Sequence, residues 1–216
     1  AAETNPYPAG ELYKTVILDE QGNATVEYKD KQGQLILKKV QSGTVASDYS
    51  GYTGFLCTYY IYDDLNQLRF VIPPKAVTAI QPGWSFASDI VKELCFRYEY
   101  DERGRMIAKK VPGSGWVYMV YDVRDRLVFT QDANMRPNNQ WLATLYDGLN
   151  RQVLTGMMVY SGGSPAALQT SVNTQTQTPS SPNTSTPVNL YLNASGTTGV
   201  YQALQSITLQ PDFETT

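Results

Sequence analysis

The sequence predicts a mainly all-β chain: consecutive antiparallel β-hairpins forming a curved sheet or partial shell, with one short helix in an insertion. Three observations carry that expectation. Tyr-Asp occurs four times, at Tyr62-Asp63, Tyr100-Asp101, Tyr121-Asp122 and Tyr146-Asp147, where composition alone gives about one. A turn former stands four residues after each Tyr, namely Asn66, Gly104, Asp125 and Asn150. Runs rich in β-branched and aromatic residues flank every block.

Taken in order, residues 1–10 read as an N-terminal extension and 11–160 as the hairpin body. Two weaker copies open the body. Leu18-Asp19-Glu20-Gln21-Gly22-Asn23 keeps the Asp and Gly with Leu for Tyr, and Tyr28-Lys29-Asp30-Lys31-Gln32-Gly33 carries one extra residue. Strands are then expected at Phe55–Tyr62 and Leu68–Ile72, Leu94–Tyr100 and Met106–Lys110, Trp116–Tyr121 and Leu127–Thr130, and Trp141–Tyr146 and Val153–Met158. Residues 73–93 interrupt the blocks. Pro73-Pro74 ends a strand, and Ser85 or Ser88 caps a short helix through Ile90, Val91 and Leu94, so this insertion reads as a surface loop with one helix. Composition then shifts, because every Lys and Arg precedes Gln152. Residues 161–187 hold 12 Ser/Thr and 4 Pro with no charge, which reads as an extended, flexible linker. Residues 188–216 read as a short β appendage.

Each block has a folding reason. An Asp side chain accepts hydrogen bonds from backbone N–H groups two residues on, and Gly or Asn tolerates positive φ where the chain reverses. Gln67, Arg105, Arg126 and Arg151 follow the turn formers. Aligned on Tyr, the columns Tyr62/Tyr60/Thr58, Tyr100/Tyr98/Phe96, Tyr121/Met119/Val117 and Tyr146/Thr144/Leu142 share one face by period-2 alternation. Cys57, Cys95, Trp116 and Trp141 form a bulky column on the other face. Tyr62, Asp63, Tyr100, Asp101, Gly104, Arg105, Tyr121, Asp122, Arg126, Tyr146, Asp147 and Arg151 are therefore read as repeat-structural residues.

Other chemistry is sparse. A formal charge of −3 speaks against a nucleic-acid binder, and the absence of His removes Ser-His-Asp and Cys-His catalysis. Two Cys cannot build a zinc site, and no apolar run reaches a membrane span, so no metal or cofactor is expected. Asp63-Asp64 and Asp122/Asp125 lack a calcium-loop spacing and read as turn carboxylates. Lys38-Lys39 and Lys109-Lys110 read as strand-end charges. Cys57 and Cys95 share a repeat position; they either form a cross-strand disulfide or remain buried thiols. Trp84, beside Pro82-Gly83, is the best single candidate for an exposed contact.

From about Glu11 to Met158 these residues resemble the Rhs/YD-repeat family, and are most similar to Rhs-type surface or secreted proteins of Bacteroidetes. The likeness lies in YKDKQGQLILKKV (Tyr28–Val40), RFVIPPK (Arg69–Lys75), LCFRYEYDERGRMIAKK (Leu94–Lys110), GWVYMVYDVRDRLVFTQDAN (Gly115–Asn134) and NQWLATLYDGLNR (Asn139–Arg151). The resemblance implies hairpins winding into a large sheet, which full-length members close into a hollow shell, often around a C-terminal toxin. Other members act in cell-surface contact or carbohydrate-associated binding. Six hairpin units are too few for a closed shell, and no Asp-Pro dipeptide supplies the family's self-cleaving motif. The expectation is a fragment or short member: a non-enzymatic module of a secreted or cell-surface bacterial protein, walling a cargo or presenting a contact surface. The alternative is a carbohydrate-binding or adhesive module. Expected partners are the remainder of a larger shell or its cargo, a glycan or another cell surface, and, through open sheet edges, a second copy of the chain.

Overall fold

Alternating apolar runs become strands wherever an Asp-led turn separates them. The computed structural model describes residues 7–81, 83, 89–175 and 190–191. The chain divides into two units, Ala1–Tyr98 with Lys110–Gly113, and Glu99–Lys109 with Ser114–Thr216.

The first unit holds β1 (Tyr13–Leu18), β2 (Ala24–Lys29), β3 (Leu35–Gln41), β4 (Phe55–Tyr62), β5 (Leu68–Ile72) and the start of β6 (Phe96–Tyr100). They pair antiparallel in chain order. Two short helices, α1 (Pro74–Ile80) and α2 (Asp89–Leu94), follow β5. Ala76, Val77 and Ile80 of α1 and Val91 of α2 share a buried cluster with Ala24, Val26, Phe55, Cys57, Ile72 and Cys95. The helices thus cover one face of this sheet, the face carrying Cys57.

The second unit holds most of β7 (Met106–Lys110), then β8 (Trp116–Tyr121), β9 (Leu127–Gln131), β10 (Gln140–Tyr146) and β11 (Gln152–Val159). β8–β9, β9–β10 and β10–β11 are antiparallel neighbours, and Leu190–Tyr191 (β12) pairs with Met158 and Met157 of β11. A helix, α3 (Pro165–Gln175), places Leu168 and Val172 into a buried cluster with Val120, Phe129, Trp141, Ala143, Leu145 and Met158. In β10 the buried positions Trp141, Ala143 and Leu145 alternate with half-buried Leu142, Thr144 and Tyr146. The Trp141 face is the core face and the Tyr face is only partly covered.

Two expectations are corrected. The insertion contains two helices rather than one helix in a surface loop. Pro73-Pro74 does stop the strand, but Pro74 at the first helical turn, with φ already near the helical value, starts α1. The apolar i, i+1, i+4 set then anchors the helix. Ser85 and Ser88 lie outside the described residues. Likewise, the linker expected from 161 is helical over Pro165–Gln175. Ser164 Oγ accepts the Ala167 N–H at 3.2 Å, and Leu168 with Val172 form a two-residue i, i+4 stripe that the polar composition hides. Residues 176–187, and the appendage apart from Leu190–Tyr191, lie outside the described residues.

Candidate functional site

All six Asp-led blocks build one turn. In the first unit, Oδ1 of Asp19, Asp30 and Asp63 accepts the N–H groups two and four residues on, at 2.7–3.0 Å. In the second, Asp101, Asp122 and Asp147 do the same at 2.9–3.0 Å. The residue at Asp+3 is left-handed each time: Gly22, Gly33, Asn66, Gly104, Asp125 and Asn150, with φ from 61° to 83°. The Asp N–H donates to the Asp+4 carbonyl, closing the strands. An extra residue follows four of these turns, at Ile36, Arg69, Val128 and Val153, where the register shifts. The two upstream copies, weak in sequence, therefore fold like the four full ones.

Within the second unit the turns are stitched into a ladder. Asp101 Oδ2 accepts Arg105 Nε and Nη2, both at 2.7 Å. Arg105 Nη1 reaches the next block, donating to Asp125 Oδ1 at 2.9 Å and the Asp122 carbonyl at 3.3 Å. Its guanidinium lies 4.9 Å from the centre of the Tyr121 ring, and Tyr121 Oη donates back to the Met106 carbonyl at 2.7 Å. The next rung repeats this geometry. Arg126 binds Asp122 Oδ2 at 2.7 and 2.6 Å, donates to Asn150 Oδ1 at 3.1 Å and stacks on Tyr146 at 5.0 Å. Tyr146 Oη donates to the Leu127 carbonyl at 3.0 Å. Asp125 and Asn150 occupy the left-handed position because their side chains also accept the preceding block's arginine. That second role offsets the strain a glycine would avoid.

Arg69 is the residue that sequence reasoning missed in the first full block. Gln67 occupies the arginine position there, yet Arg69 Nε reaches Asp63 Oδ2 at 2.7 Å from the bulge two residues further on. Only the register shift, which no pattern of residue types displays, makes that contact geometrically equivalent.

Four of the turn carboxyls, those of Asp19, Asp63, Asp101 and Asp147, are held below the ordinary aspartate value. For Asp19 the leading cause is the Asn23 side chain; for Asp63 and Asp147 it is the backbone hydrogen bond from Gln67 and Arg151 respectively. For Asp101, burial pushes upward and the Arg105 hydrogen bonds outweigh it. Lowered native values mean that the unfolded chain binds protons more readily. This stability is fully present above the unfolded aspartate pKa of about 3.9 and is lost as pH falls through the lowered native values. A melting temperature followed downward in pH is expected to be flat above about pH 5 and to fall below about pH 4. A flat profile down to about pH 2.5 contradicts the turn assignment. Separately, Tyr121→Phe removes one half-buried donor and is expected to cost about 1 kcal/mol in urea denaturation. A loss indistinguishable from zero removes that hydrogen bond from the account.

Cys57 and Cys95 are free and buried, and burial pushes both thiols up. The disulfide alternative is corrected: β5 lies between β4 and β6, and two strand spacings, about 9.6 Å, exceed a disulfide's reach. Neither lysine pair is a simple strand-end charge. Lys39 is 2% exposed, and its Nζ donates to the Tyr49 and Gly51 carbonyls at 2.6 and 2.9 Å, 4.3 Å from the Phe55 ring centre. Burial pulls its pKa down. Lys110 is buried and bonded to Glu93, while Lys109 is exposed. Trp141 is buried and Trp116 half-buried; Trp84 lies outside the described residues. Among those residues, no helix is long and apolar enough to cross a membrane, and no three His, Cys, Asp or Glu cluster as metal ligands.

No family model matches the chain, and no curated protein matches it. Among solved structures, the chain is similar to one in the Photorhabdus luminescens Tc holotoxin pore, at 17% identity and a TM-score of 0.46, over 73% of this chain and 8% of that one. It is also similar to one in a TcdB2-TccC3 crystal structure, at 18% identity and a TM-score of 0.47, over 71% of this chain and 8% of that one. The chain therefore spans less than a tenth of the length of either.

Proposed function

We propose that the chain is a non-enzymatic structural module of a secreted or cell-surface Rhs-like bacterial protein, a strip of Tyr-Asp hairpins belonging to a wall that encloses a cargo or presents a contact surface. The ladder supports this reading. Arg105 and Arg126 each bind their own Asp, the following turn and the following Tyr ring. Groups that would otherwise recognise a ligand are thus spent on joining one hairpin to the next. The same rule applied to further blocks lengthens the sheet without new chemistry.

A glycan array probed with the whole chain tests the reading against the carbohydrate-binding alternative. Silence is the expected result. Saturable binding to one sugar class, abolished by Trp84→Ala without loss of melting temperature, replaces the scaffold with an adhesive module.

A further inference from the structure

Asp132 and Arg136 repeat the spacing of the ladder pairs, standing four residues apart like Asp101 and Arg105 or Asp122 and Arg126. Here the pair does not close. Met135, three places after the Asp, is right-handed with φ −74°, whereas that position is left-handed in the six closed turns. Asp132 Oδ1 accepts the N–H groups two and three residues on, both at 2.9 Å, and the chain runs into a short 3-10 turn at Arg136–Asn138. Arg136 lies instead on the face of Tyr118, 4.9 Å from the ring centre. Gly115 makes room for it, since a β-carbon there would stand 2.4 Å from Ala133 Cβ and 3.1 Å from Arg136 Nη2.

A guanidinium held this way lacks a counter-charge. Its Nη1 is buried without a hydrogen-bond partner, and among the described residues Arg136 joins none of the second unit's ion pairs. Arg124 is exposed and can rely on water; Arg136 is half-buried, where a missing partner is costly. The described carboxylates of the unit lie beyond pairing distance of it. Asp212 and Glu214 remain, the two charges that follow Arg151 in the sequence, and both belong to this unit. The chain that carries them is tied down nearby. Leu190 and Tyr191 pair with β11, and Tyr160 N–H, just past β11, donates to the Asn139 carbonyl at 2.9 Å, beside the Arg136 turn. About 20 residues separate Tyr191 from Asp212, a reach of up to about 70 Å.

We propose that Arg136 is the docking site of this chain's own C-terminal segment, and that a carboxylate of Asp212 or Glu214 sits in its fork. One carboxylate there supplies both the acceptor and the charge that Asp122 supplies to Arg126. The tether favours this occupant over a free anion, because an attached group competes at an effective concentration in the millimolar range. Docking turns the segment into a strap fastened at two points, by β12 and by Arg136. The second fastening is ionic and only half-buried, so salt loosens it.

Hydrogen exchange of the whole chain, read by mass spectrometry over residues 201–216, tests it. At low salt, exchange there is expected to be slower than in a free peptide of the same sequence by about tenfold or more. Arg136→Gln is expected to restore the peptide rate. So is Asp212→Asn with Glu214→Gln, which leaves Arg136 and its stack on Tyr118 unaltered. Combining the three changes is expected to add nothing, because they remove one contact. A segment that exchanges at the peptide rate in the wild type overturns the proposal. Protection indifferent to Arg136→Gln does so too, since another contact then holds the segment. If Arg136→Gln releases it and the acid pair does not, the carboxylate assignment falls. Protection lost on tenfold dilution of the protein gives the carboxylate to a second copy, which also overturns the docking within one chain.

Discussion

Replacing Asp122 with Ala is expected to destabilise the second unit by about 3–5 kcal/mol. Asp122 is 5% exposed, and its carboxylate accepts two backbone N–H groups and two nitrogens of Arg126. The variant loses the turn bonds and also leaves a guanidinium, its side chain only 16% exposed, without its counter-ion. The second effect dominates, because an uncompensated buried charge costs several times more than an ordinary hydrogen bond. Asp147→Ala is the internal control. It has the same sequence context and the same turn, but Arg151 is 72% exposed and water takes over its charge. Urea denaturation of both variants is the measurement. Equal losses at the two sites would show that the turn alone matters, and that the stitching of one block to the next adds nothing.

Much of this fold was legible because its determinants are local. The turn needs Asp at one position and a residue tolerant of positive φ three places on, and both appear as residue types at fixed spacing. Strands follow from the alternation between turns. The ladder was half legible. Arg105 and Arg126 stood out by position, but their partners Asp125 and Asn150 read as mere turn formers, because their second bonds run about 20 residues along the chain. Arg69 was illegible, since a bulge changes which positions face each other without changing composition. Lys39 was misread for a related reason. A lysine in a strand reads as an edge guard, yet β3 is an inner strand, and the carbonyls that satisfy Lys39 come from a loop ten or more residues away. The helices failed differently. α1 begins with a proline pair that is equally good at stopping a strand, and α3 is held by two apolar residues in a stretch whose average composition predicts disorder. Composition averages over a segment, whereas burial selects single positions.

The second large effect concerns α3. Leu168→Ala combined with Val172→Ala is expected to cost about 3–5 kcal/mol, although both residues lie in a segment that looks like a linker. Leu168 is 2% exposed and Val172 4%, and they rest on the cluster of Val120, Trp141, Leu145 and Met158. Gln169, between them, accepts the Tyr121 N–H at 2.9 Å and donates to the Tyr121 carbonyl at 2.6 Å. Its amide thus satisfies both backbone groups of the ladder's central tyrosine. Gln169→Ala alone is expected to cost about 1–3 kcal/mol, since it leaves two backbone groups of a partly buried residue unpaired. The apolar double variant should also expose the core face and bind a dye such as ANS, which Gln169→Ala should not. If the double variant melts with the wild type and binds no dye, α3 is an ornament on a sheet that holds its own core. If it melts early and binds dye, the uncharged tail segment is as much a part of the scaffold as the hairpins, and any cut between Tyr160 and Pro165 removes a layer of the fold rather than a tether.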